Sequence, residues 1–248
     1  MSDDGSVLLV IPCFAESSRI GGFLPGLCEH LEALGHCRVL VVDDGSGPQE
    51  QQRMQDIVRS LQARYLSLGD LLVLPQNIGK GGVVHAGWNN IDGAEWLGFV
   101  DADGSVPAAE VGRLIRLARE RGPCGGAIFA SRIKILGHRV DRLWRRHLIG
   151  RIYATLVSEL LQIPVYDSQC GLKLVPHAAY EKLRGNLTVK GFAFDVELLV
   201  MLLDQGTQVS EIPIDWHEVP GSKLHLFRDS FRMFRDVLRI KRGRKALE

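Results

Sequence analysis

The sequence predicts an α/β fold: an open, mainly parallel sheet with helices on both faces. Three observations carry this. Unbroken apolar runs at 7–12 (VLLVIP), 38–42 (RVLVV) and 96–100 (WLGFV) have the length and composition of strands buried on both faces. The segments between them repeat apolar residues at helical spacing. Strand and helix patterns alternate, as in units that pair strands in parallel across a helix.

Residues 16–34 carry Ile20, Phe23, Leu24, Leu27, Leu31 and Leu34 on one helical face, and Gly35 ends them. The run 38–42 stops at Asp43-Asp44-Gly45-Ser46. A polar-faced helix follows at 49–64, then a short strand at 71–74 and a Gly-rich turn into a helix near 81–91. The strand 96–100 ends in Asp101-Ala102-Asp103. Pro107 opens a helix over 107–121, and 126–130 is another strand. Open sheets of this kind bind ligands at the carboxyl ends of their strands. The second half reads as a basic amphipathic segment at 139–162 (Trp144, Leu148, Ile152, Leu156, Leu160) and a buried helix at 191–205. A strand at 208–214 and a basic amphipathic helix at 224–242 complete it.

Of the 248 residues, 46% are apolar and 24% charged, as in a soluble globular chain. The net charge of +1 hides an asymmetry. Residues 1–131 carry 10 Lys/Arg against 16 Asp/Glu, and residues 132–248 carry 20 against 13. An excess of cations in the second half suits an anionic partner. Five cysteines without metal spacing suit a reduced, cytoplasmic setting. The acidic N-terminus does not read as a signal peptide, and no run approaches the roughly 18 apolar residues of a spanning helix. Membrane contact is then expected to be peripheral.

Asp101 and Asp103 leave a strand end two residues apart, where two carboxylates can share one divalent cation. A turn with solvated aspartates has the same pattern. An EF-hand is excluded, because Val106 and Gly112 stand where its Gly and Glu belong. Gly79-Lys80-Gly81-Gly82 opens a helix where backbone N–H groups and a lysine can meet phosphate. It is not a Walker A loop, since Leu74 and Gly81 break the pattern. Asp167-Ser168-Gln169-Cys170-Gly171-Leu172-Lys173 reads equally as a site segment or a helix-to-strand connection. Asp195 and Glu197 lie on an apolar helix, where carboxylates are paired or functional. Gly221-Ser222-Lys223 is a small loop able to clamp phosphate, and His217 beside it reads as a surface or structural side chain.

In this order the motifs resemble the family 2 glycosyltransferases of GT-A (Rossmann-like) fold. Within them the likeness is greatest to the dolichyl-phosphate glucosyltransferase and mannosyltransferase group and its polyprenyl-phosphate relatives. It spans residues 6–240 and rests on IPCFAES, VVDDGS, NIGKGGVVHAG, DADG, ASR, DSQCGLKL, FAFDVELL and HEVPGSK. Ala15 replaces a usual Asn, and Leu172 a common aromatic. The resemblance implies that Pro12, Phe14 and Glu16 border the base and that Asp44 is close to base and ribose. Lys80 would lie near the donor. The Asp101-Ala102-Asp103 segment would hold the nucleotide and Mg²⁺ or Mn²⁺, Asp103 more directly. Arg132, Ser222 and Lys223 would meet phosphate, and Asp167, Gln169, Asp195 and Glu197 would line the sugar and acceptor side. One domain is expected over 1–248, with a nucleotide-binding half (6–131), an acceptor half (132–223) and the basic helix (224–242).

Such enzymes invert at the sugar C1 and take a UDP- or GDP-hexose, with UDP-glucose favoured here. A hydroxyl acceptor needs a general base, for which Asp167 is the candidate. A lipid phosphate is already ionised and needs cations instead, which fits the basic second half. Leu224, Phe227, Phe231, Phe234 and Leu238 form a stripe flanked by Arg228, Arg232, Arg235, Arg239, Lys241 and Arg242, the pattern of an interfacial helix. The expected acceptor is therefore a polyprenyl phosphate at a membrane surface. The competing readings are a transferase for a soluble or glycan hydroxyl and an inactive nucleotide-binding or membrane-surface regulator. No nucleic-acid-binding motif accompanies the basic helices.

Overall fold

The computed structural model describes residues 5–90, 93–141, 144–219 and 226–245, with side chains undescribed at 144–149, 151–152, 226–230 and 245. In chain order the elements are β1 (Val7–Cys13), α1 (Ser17–Leu34), β2 (Cys37–Asp43), α2 (Pro48–Gln62), β3 (Leu72–Val73), α3 (Lys80–Trp88), β4 (Trp96–Val100) and α4 (Ala108–Arg121). There follow β5 (Ala127–Ser131), β6 (Val140–Asp141), α5 (Trp144–Leu161), β7 (Leu172–Pro176), α6 (His177–Glu181), α7 (Phe194–Asp204), β8 (Val209–Pro213), β9 (Trp216–His217) and α8 (Leu226–Lys245).

Among the described residues the main sheet runs β3-β2-β1-β4-β7-β5-β8. All pairings are parallel except those of β7, which is antiparallel to both β4 and β5. The α/β expectation is met, because every buried strand needs cover on two faces. On β1, Val7, Leu9 and Ile11 face α1, α2 and α4, while Leu8 and Val10 face the other helical layer. Truncating one such leucine to alanine costs about 2–5 kcal/mol.

Three features depart from expectation. Residues 172–176, LKLVP, form the central strand β7, hidden in sequence because its Lys173 is polar. The segment 139–162 is not one helix: Val140 and Asp141 pair with Trp216 and His217, and α5 starts at Trp144. Residues outside the expected stripes of α5 and α8 supply their buried contacts, and the α8 stripe read as interfacial keeps Phe231 outside. In α8 the core receives Met233, Val237 and Ile240, whereas Phe231 is 70% exposed. In α5 the core receives Val157 and Leu161, Leu160 of the expected stripe packs against it, and Leu156 is exposed. The expected contacts of Trp144, Leu148, Ile152 and Phe227 lie outside the described side chains, and Leu224 outside the described residues.

Helix α3 lies against β1 and β2 with almost no side-chain layer between. A Cβ on Gly87 would stand 2.6 Å from Val10 of β1, and α3 meets α7 as closely, since one on Gly81 would stand 2.4 Å from Phe194. The close approach packs His85 against Trp88, Phe194 and Tyr180, stacked on the last at 5.8 Å. Burial pushes the His85 pKa down from 6.5 to about 4. Between those values the unfolded chain takes up a proton that the folded chain refuses, so stability falls as pH drops through the window. Urea unfolding from pH 7 to 4 should show the parent losing on the order of 2–3 kcal/mol more than a His85→Phe variant. Equal losses would remove His85 from the acid response.

Candidate active site

The carboxyl ends of β1, β2, β4 and β5 lie on one edge of the sheet, and the expected site residues gather there. From Pro12 at the end of β1 the chain passes the exposed Phe14 and Ala15 at φ 51°, a left-handed backbone that Asn or Gly tolerates better. The Ala15 N–H donates to Ser46 Oγ (2.7 Å), and the Ser46 N–H donates to Asp43 Oδ2 (3.0 Å). The loops after β1 and β2 are thus tied together. Glu16 grips Arg19 through Nε (2.6 Å) and Nη2 (2.5 Å) at the start of α1.

Asp44 is buried and accepts the N–H groups of Ile78 (2.6 Å) and Gly79 (2.9 Å). Burial raises its pKa, against the pull of these two donors. The Gly82 N–H goes to Lys190 O (3.1 Å). The α3 N-terminus therefore has protein acceptors where sequence suggested phosphate, with Asp44 as its anion. Each Asp44 oxygen keeps a further lone pair for a ligand.

Asp101 and Asp103 follow β4, with buried Ala102 between them. Lys80 Nζ is 2.5 Å from Asp101 Oδ1, and the Ser105 N–H donates to Asp103 Oδ1 (2.9 Å). Burial works to lower the Lys80 pKa, but Asp101 and Asp195 override it and leave it raised. Lys80 is thus committed to Asp101. Each aspartate retains a second oxygen, and Asp101 Oδ2 lies over Gly171, where a Cβ would come within 2.2 Å. Among the described residues no three His, Cys, Asp or Glu side chains are arranged to hold a metal alone. Two carboxylates completed by ligand oxygens and water fit Mg²⁺ or Mn²⁺, which bind oxygen and keep several waters. His217 is exposed; its N–H donates to Ser105 O (3.1 Å), which ties β9 to the aspartate loop.

On the other side of the site Arg132 donates Nε to Asp167 Oδ2 (2.7 Å) and Nη2 to Oδ1 (2.7 Å), a bidentate pair. The Arg132 backbone N–H also reaches Asp167 (3.0 Å), and the guanidinium lies 5.6 Å from the Trp216 ring centre. Both oxygens of the proposed base are therefore engaged. Gln169 Nε2 donates to Phe192 O (3.0 Å). Glu197 holds the 188–189 segment through the N–H groups of Thr188 and Val189. Asp195 is buried beside Lys173 (2.6 Å), and burial raises its pKa against the attraction of Lys173 and Lys80. Ser222 and Lys223 lie outside the described residues.

Gly171 and Lys173 lie in the 167–173 segment that the sequence singled out, but without roles of their own, and Trp216 was missed. A lysine between Leu172 and Leu174 was the available signal for one of them; a glycine beneath a carboxylate has none. Gly171→Ala should displace the Asp101 carboxylate. Calorimetric titration of nucleoside diphosphate with Mn²⁺ should show roughly tenfold weaker binding by a variant of unchanged circular dichroism. Parent-like affinity would mean that Asp101 does not need this close contact.

The sequence profile described as Glycosyl transferase family 2 matches residues 8–184. The dolichyl-phosphate beta-glucosyltransferase of Saccharomyces cerevisiae is 31% identical over 253 residues, covering 96% of this chain and 75% of that protein. The human protein of the same name is 28% identical over 247 residues, covering 94% and 74%. Glucosyl-3-phosphoglycerate synthase from Mycobacterium tuberculosis, solved with Mn²⁺, UDP and glucosyl-3-phosphoglycerate, superposes with a TM-score of 0.65. It is 15% identical, with 95% of this chain and 79% of that one covered. A mannosyltransferase from Pyrobaculum calidifontis, solved with GDP-Man and Mn²⁺, gives 0.65 at 19% identity, covering 94% and 64%. With the profile running from the first strand into the segment after β7, the chain belongs to glycosyl transferase family 2 and has the GT-A fold.

Proposed function

We propose that the chain transfers glucose from UDP-glucose to a polyprenyl phosphate at a membrane surface. The observation that carries the acceptor is the Arg132–Asp167 pair. A hydroxyl acceptor needs a base, and Asp167 is held by Arg132 through both oxygens. Asp195 and Glu197 are likewise engaged, by Lys173 and by the 188–189 segment. A phosphate monoester is ionised and attacks C1 without losing a proton, so a fixed cation serves it better than a base. The names of the yeast and human relatives, which specify glucose and dolichyl phosphate, support the same reading.

On the donor side Phe14 offers a ring to the base, bordered by Pro12 and Glu16, while Asp44 holds the loop facing it. Asp103, with Asp101, would hold Mg²⁺ or Mn²⁺, which supplies charge neutralisation to the departing diphosphate. Lys80 keeps Asp101 in place, and Ser222 and Lys223 are assigned to the diphosphate. The chain works as one unit: residues 6–131 serve the nucleotide, 132–223 the acceptor and 224–242 the membrane.

The described parts of the second half support membrane contact. No helix among the described residues is long and apolar enough to cross a membrane. Helix α8 buries Met233, Val237 and Ile240 yet leaves Phe231 exposed beside exposed Arg232, Arg235 and Arg239. The loop after β5 carries Ile135, 46% exposed, and a fully exposed Leu136 between exposed Lys134 and Arg139. Aromatic or aliphatic tips among cations match an anionic lipid surface.

Incubation with labelled UDP-glucose and dolichyl or undecaprenyl phosphate should yield a lipid-linked glucose that depends on Mg²⁺ or Mn²⁺. Product from GDP-mannose alone would change the donor; transfer only to hydroxyl acceptors would overturn the acceptor. The double substitution Phe231→Glu, Leu136→Glu should lower partitioning onto anionic vesicles by roughly tenfold. Turnover of a short, water-soluble prenyl phosphate should stay unchanged, and undiminished vesicle binding would refute the membrane face.

A further inference from the structure

Lys173 has no solvent exposure, and no ligand can reach it. Its ammonium lies between the rings of Phe99 (5.2 Å) and Phe129 (4.9 Å). It donates to Cys170 O (2.8 Å) and meets Asp195 Oδ1 at 2.6 Å. Lys80 stands over the same Phe99 ring at 5.1 Å and bonds Asp101 at 2.5 Å. Two lysines and two aspartates, with no net charge, thus run from β7 to the aspartate pair around a single phenylalanine.

Stability does not account for this arrangement. Removing two charges from water costs as much as their attraction returns, and well-packed apolar replacements are often as stable or more so. The strand register supplies another reason. Phe99 is the cross-strand partner of Lys173, and the Asp101 N–H donates to Gly171 O (2.9 Å). Gly171, the residue before β7, therefore holds the backbone of Asp101 and lies under its carboxylate, and β7 itself carries the lysine that anchors Asp195. Lys173 and Lys80 both lie over Phe99, and Asp195 as well as Asp101 attracts Lys80.

We infer that Lys173 is a positioning residue of the donor site, holding Asp101 in place through Asp195 and Lys80. It touches neither donor nor acceptor. The inference rests on the reading of Asp101 and Asp103 as the metal and nucleotide site.

The test uses the full chain and two variants. Lys173→Met leaves Asp195 without its partner and is expected to lose stability. Lys173→Met, Asp195→Leu removes both charges and is expected to melt near the parent temperature. Binding of Mn²⁺ with UDP is followed by the electron paramagnetic resonance signal of free Mn²⁺, which needs no turnover. In the double variant Mn²⁺ affinity should fall by roughly tenfold and the bound-ion spectrum should broaden, as when a group supporting a metal ligand is lost. A folded double variant with parental affinity and spectrum would overturn the inference, leaving the lysine structural. Should the double variant not fold, the same readout on Lys173→Gln, Asp195→Asn decides, since that pair removes both charges, keeps a polar contact and leaves Lys80 and Asp101 untouched. A parent that binds no Mn²⁺ with UDP would overturn the site reading itself, and the positioning role with it.

Discussion

Strand β7 runs against both neighbours, and its peptide groups must match theirs in the antiparallel pattern. The site depends on that constraint. In a wholly parallel sheet the residues beside Asp101 would come from another strand end, with their own loop. Here that place goes to the residue that enters β7, Gly171, which accepts the Asp101 N–H and lies under its carboxylate. The chain enters β7 from Asp167, and thus the anchor of Arg132 and the floor of Asp101 are set by one stretch of backbone.

The same geometry explains what sequence could convey. The apolar runs 7–12, 38–42 and 96–100 are strands, and the acidic residues after them stand at one edge, because a doubly covered sheet favours apolar strands and turns polar at their ends. LKLVP did not announce itself, since Lys173 is stabilised by Asp195 on a helix distant in sequence. Nor did helical periodicity decide which stripe of α8 faces inward. That helix has two apolar faces, and only packing against the rest of the molecule distinguishes Met233, Val237 and Ile240 from Phe231. Candidate carboxylates were visible as residue types, but their partners were not. Asp44, Asp167 and Glu197 each hold a backbone segment in addition to any ligand role.

The positive excess of the second half divides into two populations. Arg132 and Lys173 are drawn inside and matched by carboxylates. Arg232, Arg235 and Arg239 remain outside, where an anionic surface can meet them. A net charge counted along the chain merges the two, though only the second acts at a distance.

The sheet order also has a consequence for biosynthesis. Strands β1 to β4 leave the ribosome early and can pair as they appear, but β4 then presents an open edge until residue 172 follows. Strand β5 emerges in the interval with neither of its sheet neighbours yet made. Unpaired edges of this kind invite association between nascent chains. The later half thus completes the aspartate site and also closes a seam that the growing polypeptide has to keep covered until then.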